Sequence, residues 1–263
     1  MDEPLIAVRD LHRVYRRPRA SLFEPAPTVD ALRGVSLEIA AGQRFGLVGE
    51  SGSGKSTLIR LLSGLDRPTS GTIAFEGRPV GRRGLPRGRL GVVFQDPMGS
   101  LDPRMRVHDI IAEPLVGARA PRDLRRLLVT ELLEDVGLEP EAGGRYPHQF
   151  SGGQRQRISL ARALSTRPSV LVADEPVSAL DVSVRAQILN LIDDLVSGYG
   201  LTLVMVSHDL SVIRHSCDTI GVMRRGELVE VGPAARVAGE PAHPYTRELV
   251  AAVPDLRKAL GGT

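Results

Sequence analysis

The segment Gly49-Glu50-Ser51-Gly52-Ser53-Gly54-Lys55-Ser56 constrains this chain more than any other. It follows the apolar run Arg44–Val48, and a helix is expected from Lys55 to Ser63. A strand running through a glycine-rich turn into a helix is the context that G-x-x-x-x-G-K-[ST] demands. Glycines let successive backbone N–H groups turn inward as a nest for phosphate oxygens, and the helix N-terminus adds partial positive charge there. Gly49, Ser51, Gly52, Ser53 and Gly54 form this cradle. Lys55 is expected at the β- and γ-phosphates of a nucleotide, the Ser56 hydroxyl on Mg²⁺, and Thr57 at the α-phosphate. The implied ligands are ATP and Mg²⁺.

Such a nest needs an α/β scaffold, and 263 residues with 42% apolar content are enough to bury one. Alternating apolar positions predict strands over Leu5–Val8 and Val35–Ile39, and a further strand is expected at Thr72–Phe75 after the turn Pro68–Gly71. Arg16 to Thr28 reads as an exposed Pro- and Arg-rich loop, and Gly77 to Gly88 as a basic hairpin leading to strand Leu90–Phe94. Residues 105 to 165 differ: Val107–Val116 and Leu124–Val136 have helical spacing with Arg and Glu on the opposite face. Strands then resume at Val170–Ala173, Thr202–Val206, Asp218–Met223 and Glu227–Val231, with a helix over Val184–Leu195. This order implies a mainly parallel sheet covered by helices, carrying a helical insert.

Composition excludes several classes. The net charge of +3 is modest and no aromatic residues interleave with the basic ones, so no nucleic-acid partner is expected. Cys217 is the single cysteine, which excludes an internal disulfide framework or a multi-cysteine metal site and reads as a small buried thiol. The N-terminus carries no secretory pattern. No apolar run approaches the roughly 20 residues that cross a bilayer. Any membrane role is expected to pass through a partner.

The run Val170-Leu171-Val172-Ala173-Asp174-Glu175 ends in two carboxylates where a buried parallel strand delivers ligands. Neighbours at a strand end point differently, so Asp174 is assigned to the Mg²⁺ shell and Glu175 to the attacking water as general base or orienting group. Phe150-Ser151-Gly152-Gly153-Gln154 precedes an expected helix at Ile158–Leu164 and resembles the ABC ATPase signature, with Phe150 in place of the usual leucine. The resemblance covers nearly the whole chain. It implies a RecA-like P-loop core with an antiparallel β subdomain and an inserted helical subdomain. Residues 1–95 would hold the β subdomain and first part of the core, 96–165 the helical subdomain ending in the signature, and 166–263 the rest of the core with a C-terminal helix.

The same resemblance implies roles for single residues. Tyr15 would stack on adenine, Gln95 would reach Mg²⁺ and the attacking water, Asp181 would belong to the loop crossing a dimer seam, and His208 would bond the γ-phosphate. Ser151, Gly152, Gly153 and Gln154 would face the nucleotide of a second ATPase subunit, identical or different, so that one chain alone builds no complete site. Phe94–Pro103, Asp174–Ser183 and Pro241-Ala242-His243-Pro244-Tyr245-Thr246 look like the oligopeptide, dipeptide and nickel importer subfamily, the last heading an amphipathic helix. Some members carry a cysteine cluster after that helix; this sequence has none there. The implied partners are two transmembrane permease subunits and, indirectly, an extracytoplasmic solute-binding protein, at the cytoplasmic face of the membrane. The helical subdomain and residues 97–105 would grip the permease. An exporter, another solute, or a soluble ABC ATPase of DNA repair or translation are the alternatives; no long heptad region and no second ATPase unit is present.

Overall fold

Ile6, Val8 and Leu11 are fully buried on β1 (Ile6–Arg16). The step from Val8 to Leu11 is odd rather than even because the strand bulges beside Asp10, whose φ is +45°. That bulge shifts the alternation, which is why the sequence shows a strand only to Val8. β1 pairs antiparallel with β2 (Thr28–Ile39), Ile6 opposite Ile39 and Arg16 opposite Thr28. Both ends of the expected Arg16–Thr28 loop are therefore strand residues. In this computed structural model the described residues are 3–16, 27–81, 85, 86 and 88–252, so the interior of that loop and part of the basic hairpin lie outside them.

β3 (Arg44–Val48) and α1 (Lys55–Leu62) follow, then β4 (Ser70–Phe75) and the short β5 (Arg78–Pro79). One sheet has the order β2-β1-β4-β5 with every pair antiparallel, the β subdomain that the resemblance implies.

The next stretch holds β6 (Leu90–Val93), α2 (Pro97–Ser100), α3 (Val107–Gly117), α4 (Arg122–Asp135), α5 (Gly152–Leu164), β7 (Val170–Asp174), α6 (Val182–Tyr199) and β8 (Thr202–Ser207). β6 and β7 run parallel, Leu90 beside Val170 and Val93 beside Ala173, so both deliver their following residues at one end. Ile110, Ile111, Val129, Leu133, Ile158 and Leu160 bury the helices against one another. Arg157 donates to the Val136 carbonyl at 2.6 Å and Arg162 to that of Ser100 at 2.5 Å, satisfying acceptors at the ends of α4 and α2.

α7 (Leu210–Ser216), β9 (Thr219–Arg224), β10 (Glu227–Pro233), α8 (Ala234–Gly239) and α9 (Pro244–Ala252) complete the described chain. α7 and α8 are too short to show a period and leave no helical signal in the sequence. β9 lies parallel to β3, Phe45 beside Thr219 and Val48 beside Val222, while β10 returns antiparallel. Cys217 is buried as expected, beside β3 at Gly46. No described helix is long and apolar enough to cross a membrane. Two compact units result, one from the chain up to Gly84 and again from Met205, the other from Leu85–Val204.

In the first unit, the buried Glu230 carboxylate on β10 accepts from the backbone N–H groups of Ala242 at 2.9 Å and His243 at 3.0 Å, fastening the segment that opens α9. Burial opposes ionisation of Glu230, but these donors and the nearby Arg236 outweigh it and hold the carboxyl below its ordinary value. Glu230→Gln is expected to lower stability by about 1–3 kcal/mol at neutral pH, read by urea denaturation. The deficit shrinks as the pH falls through the depressed pKa, because the wild-type chain then loses the same charged acceptor.

Candidate functional site

One group of candidate residues is built at the end of β3. Gly49 is demanded by a close approach, because a Cβ there would stand 2.2 Å from the Met223 carbonyl oxygen on β9. Ser53 is buried and its N–H bonds the Glu50 carbonyl at 3.1 Å, closing the turn. Gly54 then caps α1 in a left-handed conformation with no side-chain cap, so no side chain competes for the first-turn N–H groups. Lys55 is only 6% exposed, and its ammonium donates to the carbonyls of Gly49 at 2.6 Å and Glu50 at 3.0 Å. A cation taken from water costs several kcal/mol unless oxygen dipoles replace the solvent, and these carbonyls do so. Ser51 and Gly52 are exposed in the same turn, and Ser56 and Thr57 occupy the first turn of α1. All the residues expected in the cradle therefore meet in one loop and one helical turn.

His208 stands exposed after β8. The next residue, Asp209, accepts from the Ser211 N–H at 2.8 Å and its hydroxyl at 2.6 Å, fixing the start of α7 directly behind the histidine. Tyr15, near the end of β1, donates to Asp66 at 2.5 Å, and the Arg13 guanidinium lies 4.3 Å from its ring centroid. Arg13 also makes two bonds to Asp66, at 2.7 and 3.0 Å. Burial works against the Asp66 charge, yet the Tyr15 hydroxyl, the Arg67 N–H and Arg13 hold its carboxyl below the ordinary range. The Arg13 support has no signal in the sequence.

A further group of candidate residues belongs to the other unit. Asp174 closes β7 half-buried, and Glu175 follows it with φ +48°. A left-handed glutamate costs about 1–2 kcal/mol, strain of the kind that gathers at functional sites. The parallel register of β6 and β7 brings Gln95 to this carboxylate, with Nε2 donating to Glu175 Oε2 at 3.2 Å. The turn beyond is braced: the Ser178 hydroxyl donates to the Glu175 carbonyl at 3.1 Å, and Arg185 on α6 donates to the Leu180 carbonyl at 2.7 Å. Asp181 is exposed at the N-cap of α6 and makes no side-chain capping bond. The sequence alone does not single out Arg185, since an arginine one turn into a helix carries no distinguishing pattern.

The signature segment corrects one expectation. Its helix begins at Gly152, not at Ile158. Ser151 Oγ accepts from the Gln154 N–H at 3.3 Å, and Gln154 Oε1 accepts from the Ser151 N–H at 3.0 Å. This reciprocal capping box is spelled in the sequence as Ser-x-x-Gln. A Cβ on Gly153 would lie 2.6 Å from Val184 Cγ1, so that glycine also serves the packing of α5 on α6. Ser151 and Gly152 remain exposed at the helix tip.

Comparison with known proteins agrees with this geometry. Residues 32–178 match the model of the family described as ABC transporter, and 229–262 that of the oligopeptide/dipeptide transporter C-terminal region. The probable D,D-dipeptide transport ATP-binding protein DdpF of Escherichia coli is 47% identical over 99% of this chain and 82% of its own length. The di/tripeptide transport ATP-binding protein DppF of Pseudomonas aeruginosa is 48% identical over 96% of this chain and 80% of its own. Among solved structures, cbiO1 of Clostridium perfringens, part of the ABC transporter complex cbiONQ, superposes with a TM-score of 0.78 at 26% identity, covering 98% of this chain and 99% of that one. The dimeric post-hydrolysis state of the cassette MJ0796 bound to ADP and Pi gives 0.75 at 29% identity over 87% of this chain and 98% of that one. The strand-borne phosphate nest, the antiparallel β subdomain and the helical insert are thus those of an ATPase cassette, and the chain belongs to the ABC transporter family.

Proposed function

We propose that this chain binds and hydrolyses ATP to drive a membrane importer of dipeptides or oligopeptides. The observation that carries the chemistry is the buried Lys55 ammonium gathered on loop carbonyls, beside a helix start that no side chain caps. Incoming phosphate oxygens join those carbonyls as partners of the three-donor Lys55 ammonium and take up the loop N–H groups. The peptide assignment is supported by the names of the two curated relatives and by the C-terminal match.

Mg²⁺ fits the donors offered here. Among the described residues no three His, Cys, Asp or Glu side chains converge, but this ion takes a hydroxyl and one or two carboxylates together with phosphate oxygens. Ser56 and Asp174 would hold it, with the Gln95 amide oxygen as a further ligand. When bound, it supplies charge neutralisation at the β- and γ-phosphates. Glu175 takes a proton from the attacking water as the water oxygen bonds to phosphorus, and ADP departs with the broken bond's electron pair. Gln95 orients the Glu175 carboxylate for that transfer. His208 steadies the γ-phosphate, and Tyr15 packs against the base. Ser151, Gly152, Gly153, Gln154 and Asp181 serve the nucleotide of a second ATPase subunit, so that closure on ATP and reopening after hydrolysis move two permease subunits at the cytoplasmic membrane face. An extracytoplasmic binding protein delivers the peptide to those permeases.

Glu175→Gln is expected to retain ATP binding, cut turnover by at least about 100-fold and trap a dimer, measured by phosphate release and gel filtration. Wild-type turnover in that variant would refute the assignment of the base. Ser151→Arg is expected to block hydrolysis while the isolated monomer binds nucleotide as wild type does; loss of monomer binding would place Ser151 in its own chain's pocket. Purification from membranes should recover two permease chains, and recovery of none would count against the transport role.

A further inference from the structure

The nucleotide-binding reading leaves the Pro241–Thr246 segment without a task in the chemistry. Its Tyr245 is only 5% exposed, at the start of α9, with the Arg224 guanidinium 4.6 Å from its ring centroid. Glu230 fastens the two preceding residues, Ala242 and His243, by their backbone N–H groups. The buried ring is thereby brought to the phosphate loop, where the Glu50 N–H donates to the Tyr245 hydroxyl oxygen at 3.0 Å.

The Glu50 N–H and the Gly49 carbonyl belong to the same planar peptide unit. The Gly49 carbonyl accepts from Lys55 Nζ at 2.6 Å. One rigid plane is thus held at both ends, by the ammonium on its oxygen and by the phenol on its nitrogen. If the hydroxyl is removed, the amide loses its protein partner, and the plane can rock about its flanking bonds. Lys55 takes its position partly from that plane's oxygen, so rocking the plane loosens the cation that meets the phosphates.

We propose that Tyr245 is a positioning residue for nucleotide binding, through which the C-terminal segment locks the Gly49–Glu50 peptide and so presets Lys55. This rests on the nucleotide reading of the loop. Tyr245 touches no reacting atom, so its contribution falls on binding and not on the chemical step.

The test is Tyr245→Phe in the full chain, which keeps the ring and its stacking with Arg224 and removes only the oxygen. Loss of one such hydrogen bond should raise the Kd for Mg-ADP and the KM for ATP about 3- to 10-fold. kcat should stay at the wild-type value, and the melting temperature without nucleotide should fall by only about 2–4 °C, the loss of one hydrogen bond. Tyr245→Ala, which also removes the buried ring, should lower the melting temperature well beyond the Phe variant as well as the affinity. A purely structural tyrosine would leave Phe binding as tightly as wild type; that result overturns the proposal while leaving the nucleotide reading intact. Failure of the wild-type chain itself to bind Mg-ADP would overturn both.

Discussion

The ammonium of Lys55 sits where an unpaired charge could not remain. It lies among buried residues at the mouth of β3, where the preceding turn bends its own carbonyls back upon it. That bend depends on Gly49, because the Met223 carbonyl on β9 lies too close for any side chain. The parallel pairing of β3 with β9 therefore does more than extend a sheet. It sets the distance at which the loop turns, and with it where a cation can stand.

The other unit solves a related problem with carboxylates. In-register pairing of β6 with β7 brings an amide from one strand to a glutamate just beyond the other, and the turn after Glu175 is tied down by Ser178 and Arg185. The glutamate's left-handed backbone is thus maintained by bonds made after it in sequence. Strain and its restraint lie within a few residues of each other, a compact way to aim a side chain.

The nest was fully legible in the sequence, because strand, glycine turn and lysine are contiguous and each has a local physical reason. The same holds for Asp174 and Glu175 at the end of an apolar run. Legibility failed where the cause was not local. The bulge at Asp10 hid half of β1, since alternation cannot be followed across an odd step. α7 and α8 are too short to display a period. The ties from Tyr245 to Glu50 and from Arg13 to Asp66 join distant positions, and nothing in either segment announces its mate. The start of α5 is a different case, because Ser151 and Gln154 spell out its capping box locally.

That capping box has a consequence for association. A protruding tip of serine and glycine would ordinarily be a floppy surface, and any molecule settling on it would have to freeze it. Here the reciprocal bonds between Ser151 and Gln154 have already stilled the tip during folding. The entropy of immobilisation is spent inside the monomer, so a partner settling there would meet something shaped in advance.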